Sequence, residues 1–149
     1  MTQRIKLLTL AQADVTRLID LCFPAMDAAT PLILGQVDHA LRGTDFQNLR
    51  DDAQLVLAEA LNNVVEHAYA STTLGAVALR VESVTDQLEI HLTDWGNPFP
   101  SSTIPEGRNP NPNDLSEGGY GWFLIRSLTS EIRYFRKIGR NCLSLIFSV

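Results

Sequence analysis

Five of the chain's seven prolines fall inside one stretch, "NPFPSSTIPEGRNPNPNDLSEGG" at residues 97–119. Proline locks φ and removes an amide donor, so neither a helix nor a central strand runs through this stretch. It is a long loop, and loops of this length inside a compact domain usually carry function. At 149 residues the chain is read as a single domain spanning 1–149, long enough to bury a core of its own.

Upstream of the loop, "TRLIDLCF" (16–23) places Ile19, Leu21 and Phe23 on one face and predicts a strand. "DAATPLILGQVDHALRG" predicts a helix that stops near Gly43. A second helix, "AQLVLAEALNNVVEHAYA", follows Asp51 and Asp52, acids placed where the helix dipole favours them. Its apolar stripe is Leu57, Leu61, Val64, Val65 and Ala68, with Glu59, Asn62, Asn63 and Glu66 opposite. "GAVALRVESV" and "DQLEIHLTDWG" predict two strands joined by a turn around Asp86, the second ending at Asp94. Downstream of the loop come a helix, "YGWFLIRSLTSE", and a hairpin turning at Gly139, in which Leu143, Leu145 and Phe147 alternate. This order predicts an α/β (α+β) two-layer sandwich, with helices on one face of a mixed, mostly antiparallel sheet.

Composition narrows the function. The net charge is −5, and Lys and Arg do not cluster before the C-terminal third, which argues against a nucleic-acid partner. The apolar run at the N-terminus is too short and too polar-flanked for a signal peptide or membrane span, so the expected location is cytoplasmic. Cys22 and Cys142 sit in apolar surroundings and are expected as buried thiols, with no metal-ligand spacing.

Three short patterns could carry chemistry. In "EALNNVVEHAY" (59–69), Glu59 and Asn63 are one helical turn apart and project together. A carboxylate beside an amide oxygen suits a magnesium–phosphate site, the amide as ligand and the acid as proton acceptor. In "DWGNPFP" (94–100), Asp94 could accept from an exocyclic amine, and Gly96 could let a flat ring approach the backbone. In "EGGYGWFLIRSL" (117–128), exposed backbone amides run into a helix N-terminus, a ready phosphate cradle. Each has an ordinary structural reading by itself: a solvated helix face, an Asp-x-Gly turn, a loop before a helix. The glycines are not a Walker A loop, since no Gly-Lys-Ser/Thr follows, nor the dinucleotide fingerprint. His67 is expected as a packed or hydrogen-bonded histidine, and Trp95 and Trp122 as apolar packing. His39 and His91 have no metal spacing.

Taken in order, the three patterns resemble the Bergerat-fold (GHKL) ATPase and kinase superfamily. They are most similar to its anti-sigma-factor serine/threonine kinase branch (RsbW-like), with "GRNCLSLIF" similar to that branch's closing hairpin. The resemblance spans roughly residues 16–149 in one register. It implies ATP and magnesium as cofactors, with Asn63 the metal ligand and Glu59 the general base. It implies that Asp94 reads the adenine amine and that Gly96 lines the adenine pocket. Gly119 and Gly121 would lie against the phosphates, Gly118 would be the lid hinge, and Ser144 would bring a hydroxyl near adenine. Residues 97–119 become an ATP lid whose cation is Arg108. Residues 1–15 become an extension read as an added edge strand or a homodimer contact.

The function implied is a serine/threonine protein kinase acting as an anti-sigma factor. It would bind a sigma factor and phosphorylate a small STAS-type anti-sigma-factor antagonist. The alternative is a nucleotide-binding switch with little kinase activity, in which ATP sets partner affinity through the lid.

Overall fold

The computed structural model describes residues 13–70, 75–107 and 120–149. Five strands form one sheet: β1 (Val15–Pro24), β2 (Ala76–Val84), β3 (Gln87–Asp94), β4 (Glu131–Lys137) and β5 (Arg140–Ser148), in spatial order β1-β2-β3-β5-β4. The helices α1 (Thr30–Leu41), α2 (Arg50–Asn63) and α3 (Tyr120–Leu128) complete the α/β sandwich. The mostly antiparallel sheet is as expected. The parallel component that a mixed sheet would add is absent among the described strands, where every pairing is antiparallel.

Alternation decides what the sheet offers to the helices. Leu79, Val81, Leu88, Ile90, Leu92, Leu145 and Phe147 are all but inaccessible, and so are Val37 and Leu41 of α1, Val56 and Leu57 of α2, and Ile125 of α3. These form one core cluster, with Ile19 of β1 packed into it. Pairing across β3 and β5 sets Leu88 against Phe147, Ile90 against Leu145 and Leu92 against Leu143. The next inward pair along the same face is Asp94 and Asn141. The sheet's apolar face therefore ends in a polar pair, both members buried.

The opposite face is charged. His91 Nδ1 meets Ser144 Oγ at 2.8 Å, and its Nε2 lies 3.2 Å from Glu89 and 3.7 Å from Glu82. Glu82 and Glu89 face each other across β2 and β3, and Arg17 and Arg80 approach Glu82 at 3.4 and 3.7 Å. Cys22, Ala78, Thr93 and Cys142 follow one another across four strands on this side. That parity corrects the expectation of two buried thiols: Cys22 is exposed and Cys142 half-buried.

Helix ends follow local chemistry. α1 stops at Leu41, with Gly43 at φ +71° just beyond. Asp38 accepts from Arg42 at 2.7 Å and from the Arg50 Nε at 2.8 Å, tying α1 to the start of α2. The hairpin β4–β5 turns at Ile138 and Gly139, both with positive φ, as a two-residue primed turn requires. α2 does not simply end: Val64–Ala68 winds as one π turn, closed by Tyr69 N–H donating to Val64 O at 3.2 Å. Single π turns of this kind are frequent at functional sites.

Candidate active site

Helix α2 and strand β3 are brought together at their C-terminal ends by backbone contact. Asn97 N–H donates to Ala68 O at 2.7 Å, so the chain leaving β3 docks on the π turn. A Cβ built at Gly96 would lie 2.2 Å from Ala68 O and 2.5 Å from Ala68 C. Gly96 is therefore demanded by the approach of one backbone to another. Its N–H donates to Asp94 Oδ1 at 2.9 Å, so it also orients the carboxylate that lines the cavity.

The buried Tyr69 fastens the same corner. Its hydroxyl donates to Ala76 O at 2.7 Å and accepts from Trp95 N–H at 2.9 Å, and Gly75 lies against its ring. One phenol thus joins the end of α2 to the start of β2 and the end of β3.

Between these elements lies a cavity of about 940 Å³ whose lining includes Glu59, Asn63, Asp94, Phe99, Gly121 and Asn141. This size suits a small-molecule ligand. Glu59, Asn63, Asp94 and Gly121, drawn from three separate sequence patterns, share one chamber. A Cβ at Gly121 would meet Glu59 Oε2 at 2.5 Å, so the first turn of α3 sits directly on that carboxylate. Gly118, Gly119 and Arg108 lie outside the described residues.

Ser144 is not part of the chamber. Strand alternation that sends Leu143 and Leu145 inward turns Ser144 outward, where its hydroxyl is engaged by His91. The expected hydroxyl near adenine is thus corrected, and the inward polar group of β5 is Asn141. His67 lines the cavity with its side chain 66% exposed, so it is neither packed nor firmly paired; Glu66 lies 4.0 Å away. Trp122 is buried and meets Phe99 edge-on at 5.4 Å, as expected of core packing. Trp95 is 48% exposed and does not serve as packing.

Asp94 is buried, and both of its hydrogen bonds fall on Oδ1: from Gly96 N–H at 2.9 Å and from Asn141 Nδ2 at 2.8 Å. Oδ2 accepts none among the described residues. Burial pushes the carboxyl above its usual range, opposed by the Asn141 and Gly96 hydrogen bonds and the nearby Arg136 charge.

Asn63 carries the other telling atom. Its Nδ2 position is buried and has no hydrogen-bond partner. Buried polar atoms without partners are rare, and a half-turn of the amide would put the oxygen there instead. Among the described lining residues there is no Lys or Arg, while Glu59, Glu66 and Asp94 are acids. An anionic ligand in this chamber would need a metal cation and backbone amides to offset its charge. An amide oxygen from Asn63 fits magnesium, a hard cation bound by few protein ligands together with phosphate oxygens.

Two anchors of the loop were missed in the sequence. Arg126 of α3 donates through Nε to Pro105 O at 3.0 Å and through Nη2 to Ile104 O at 3.4 Å. A Cβ at Gly107 would meet Phe123 N at 2.5 Å. The first half of the loop, residues 97–107, is therefore held against α3, with Phe99 wedged between Trp122 and Tyr134.

Comparison with known proteins bears on the family and the fold. The serine-protein kinase RsbW of Staphylococcus aureus strain MSSA476 is 34% identical over 95 residues, 60% of this chain and 60% of its own length. The homologue from strain USA300 is 33% identical over the same share of each chain. This chain thus spans less than two thirds of the curated relatives it matches. Among solved structures, the RsbU and RsbW domains of a Mycobacterium tuberculosis protein superpose with a TM-score of 0.55, at 20% identity, over 87% of this chain and 32% of that one. That likeness is one of fold. Residues 23–147 match the histidine kinase-like ATPase domain, and the chain belongs to that family.

Proposed function

We propose that this chain is a cytoplasmic serine/threonine protein kinase that uses ATP and magnesium and acts as an anti-sigma factor. In this reading residues 1–149 are one ATP-binding domain with its lid at 97–119. Its partners are a sigma factor and a small STAS-type antagonist, the latter phosphorylated on serine. No described helix is long and apolar enough to cross a membrane. The observation that carries the reading is the convergence of Glu59, Asn63 and Asp94 on one chamber whose described lining holds no Lys or Arg.

The roles follow from the chemistry of each group. Asp94 offers Oδ2 to the exocyclic amine of adenine, since Oδ1 is already taken. Asn63 and the phosphate oxygens would hold magnesium, which offsets phosphate charge when bound. Glu59 accepts no hydrogen bond from the described residues and stands one turn from Asn63, free to take the proton of an incoming serine hydroxyl. As that proton moves to the Glu59 carboxylate, the serine oxygen bonds to the γ-phosphorus, and the bond to the β-phosphate oxygen breaks, leaving ADP. That free carboxylate favours chemistry over a passive nucleotide switch.

Calorimetry with ATP and magnesium should show saturable heat, and labelled ATP with the antagonist domain should yield phosphoserine. A folded sample giving no heat would end the reading.

The affinity should also depend on pH in a stated direction. The folded-state value of Asp94 is raised, so acidification protonates it in the folded chain before the unfolded one. Its contribution to the stability of the ligand-free protein therefore grows as pH falls through the folded value. ATP affinity should move oppositely, because a protonated carboxyl competes poorly as an acceptor. Titrations between about pH 8 and pH 4 should show ATP binding weakening from above the usual carboxylate range. Binding that is flat until the ordinary aspartate range would place the amine elsewhere.

A further inference from the structure

Among the described residues Asn141 is the most heavily used polar side chain of the chamber, and none of the three sequence patterns includes it. It is buried at the inward end of β5, directly across from Asp94. Its Nδ2 donates to Asp94 Oδ1 at 2.8 Å and to Asn97 O at 2.9 Å, with Gly96 O at 3.5 Å. Its Oδ1 accepts from Tyr134 Oη at 2.8 Å and from Arg136 Nη1 at 2.7 Å.

The partners leave the amide one orientation. A guanidinium can only donate and an ionised carboxylate can only accept, so Oδ1 must face Arg136 and Nδ2 must face Asp94. Arg136 and Tyr134 lie on the edge strand β4, and Arg136 pairs with Asn141 across β4 and β5. Arg136 also donates to Gly96 O at 3.0 Å, and the Tyr134 hydroxyl accepts from Phe99 N–H at 3.4 Å. The edge hairpin therefore grips both the acceptor residue and the first residues of the loop.

We propose that Asn141, oriented by Tyr134 and Arg136, is a positioning residue that sets base specificity by holding Asp94 through Oδ1, so that Oδ2 is the oxygen left for an exocyclic amine. This rests on the nucleotide reading above and adds a specificity determinant to it. A hydroxyl could not do the same work, having one atom for both ends of the bridge. An aspartate could not either, because it offers an acceptor where Asp94 needs a donor. With Asn141 in place, a purine carrying a carbonyl in place of the amine would present acceptor to acceptor. Sites built around a specific hydrogen bond reject such analogues strongly.

The test compares magnesium-ATP with magnesium-ITP, whose base carries a carbonyl where adenine carries the amine, by calorimetric titration of the full chain. The wild type should prefer ATP. Asn141→Ala should cut the ATP-to-ITP preference about 10- to 100-fold, the range expected for losing a hydrogen bond to a charged group. Tyr134→Phe keeps the ring against Phe99 and removes only the hydroxyl. It should reduce the preference in the same direction by a smaller factor, and it carries the test if Asn141→Ala does not fold. Equal weakening for ATP and ITP in these variants would make Asn141 merely structural and overturn the proposal. So would an unchanged preference. A wild type that binds neither nucleotide would remove the nucleotide reading and this inference together, a result distinguishable from failure in the variants alone.

Discussion

Glu59→Gln is expected to bind ATP and magnesium within a few-fold of the wild type and to lose about 10²–10⁴-fold in the rate of phosphoserine formation. The substitution preserves the side chain's shape, which matters here because Oε2 lies against the first turn of α3 at Gly121. It removes the basic oxygen pair that would take the serine proton. No described residue donates to Glu59, so the change breaks no hydrogen bond among the described residues, and the fold should be unaffected. Single-turnover phosphotransfer to the antagonist domain, with affinity measured alongside, separates the two effects. Asn63→Ala provides the contrast, since loss of a metal ligand should weaken magnesium-dependent binding as well. A Glu59→Gln protein that phosphorylates at the normal rate would remove Glu59 from the chemistry.

Gly96→Ala should be the most damaging single methyl in the described chain. Its Cβ would meet the Ala68 carbonyl oxygen at 2.2 Å and the Ala68 Cβ at 2.8 Å. Backbone atoms cannot swing aside as a flexible side-chain end can, so α2 and β3 must part. Overpacking of this kind costs up to about 3 kcal/mol, roughly 6–12 °C in Tm for a domain of this size. The same displacement would disturb the Asn97–Ala68 hydrogen bond and the Gly96 N–H bond to Asp94, so ATP affinity should fall with stability. Thermal unfolding and calorimetry on the same sample check both. An unchanged Tm would mean that the ends of α2 and β3 do not touch.

Much of the fold and part of the site were legible in the sequence. The strand and helix order, the turn at Gly139 and the stop near Gly43 were read from periodicity and turn residues, which act between near neighbours in the chain. Glu59 with Asn63 was legible for the same reason, as four residues always make one turn. The outward placement of Ser144 was also available, since the alternation of Leu143, Leu145 and Phe147 implies it. The same parity places Asn141 on the inward face.

Contacts between distant segments were not legible. Nothing near Gly96 in sequence announces Ala68 O, and nothing near Arg126 announces the carbonyls of Ile104 and Pro105. The chain by itself determined its elements, their inward faces and the residue types available for chemistry, because those depend on spacing alone. Tertiary structure decided that α2 ends in a π turn against β3, that Asp94 keeps one oxygen free, and that the edge hairpin holds it. Each of those depends on how closely two backbones approach and on which row of a sheet a side chain joins. Those quantities are set only when the whole core packs.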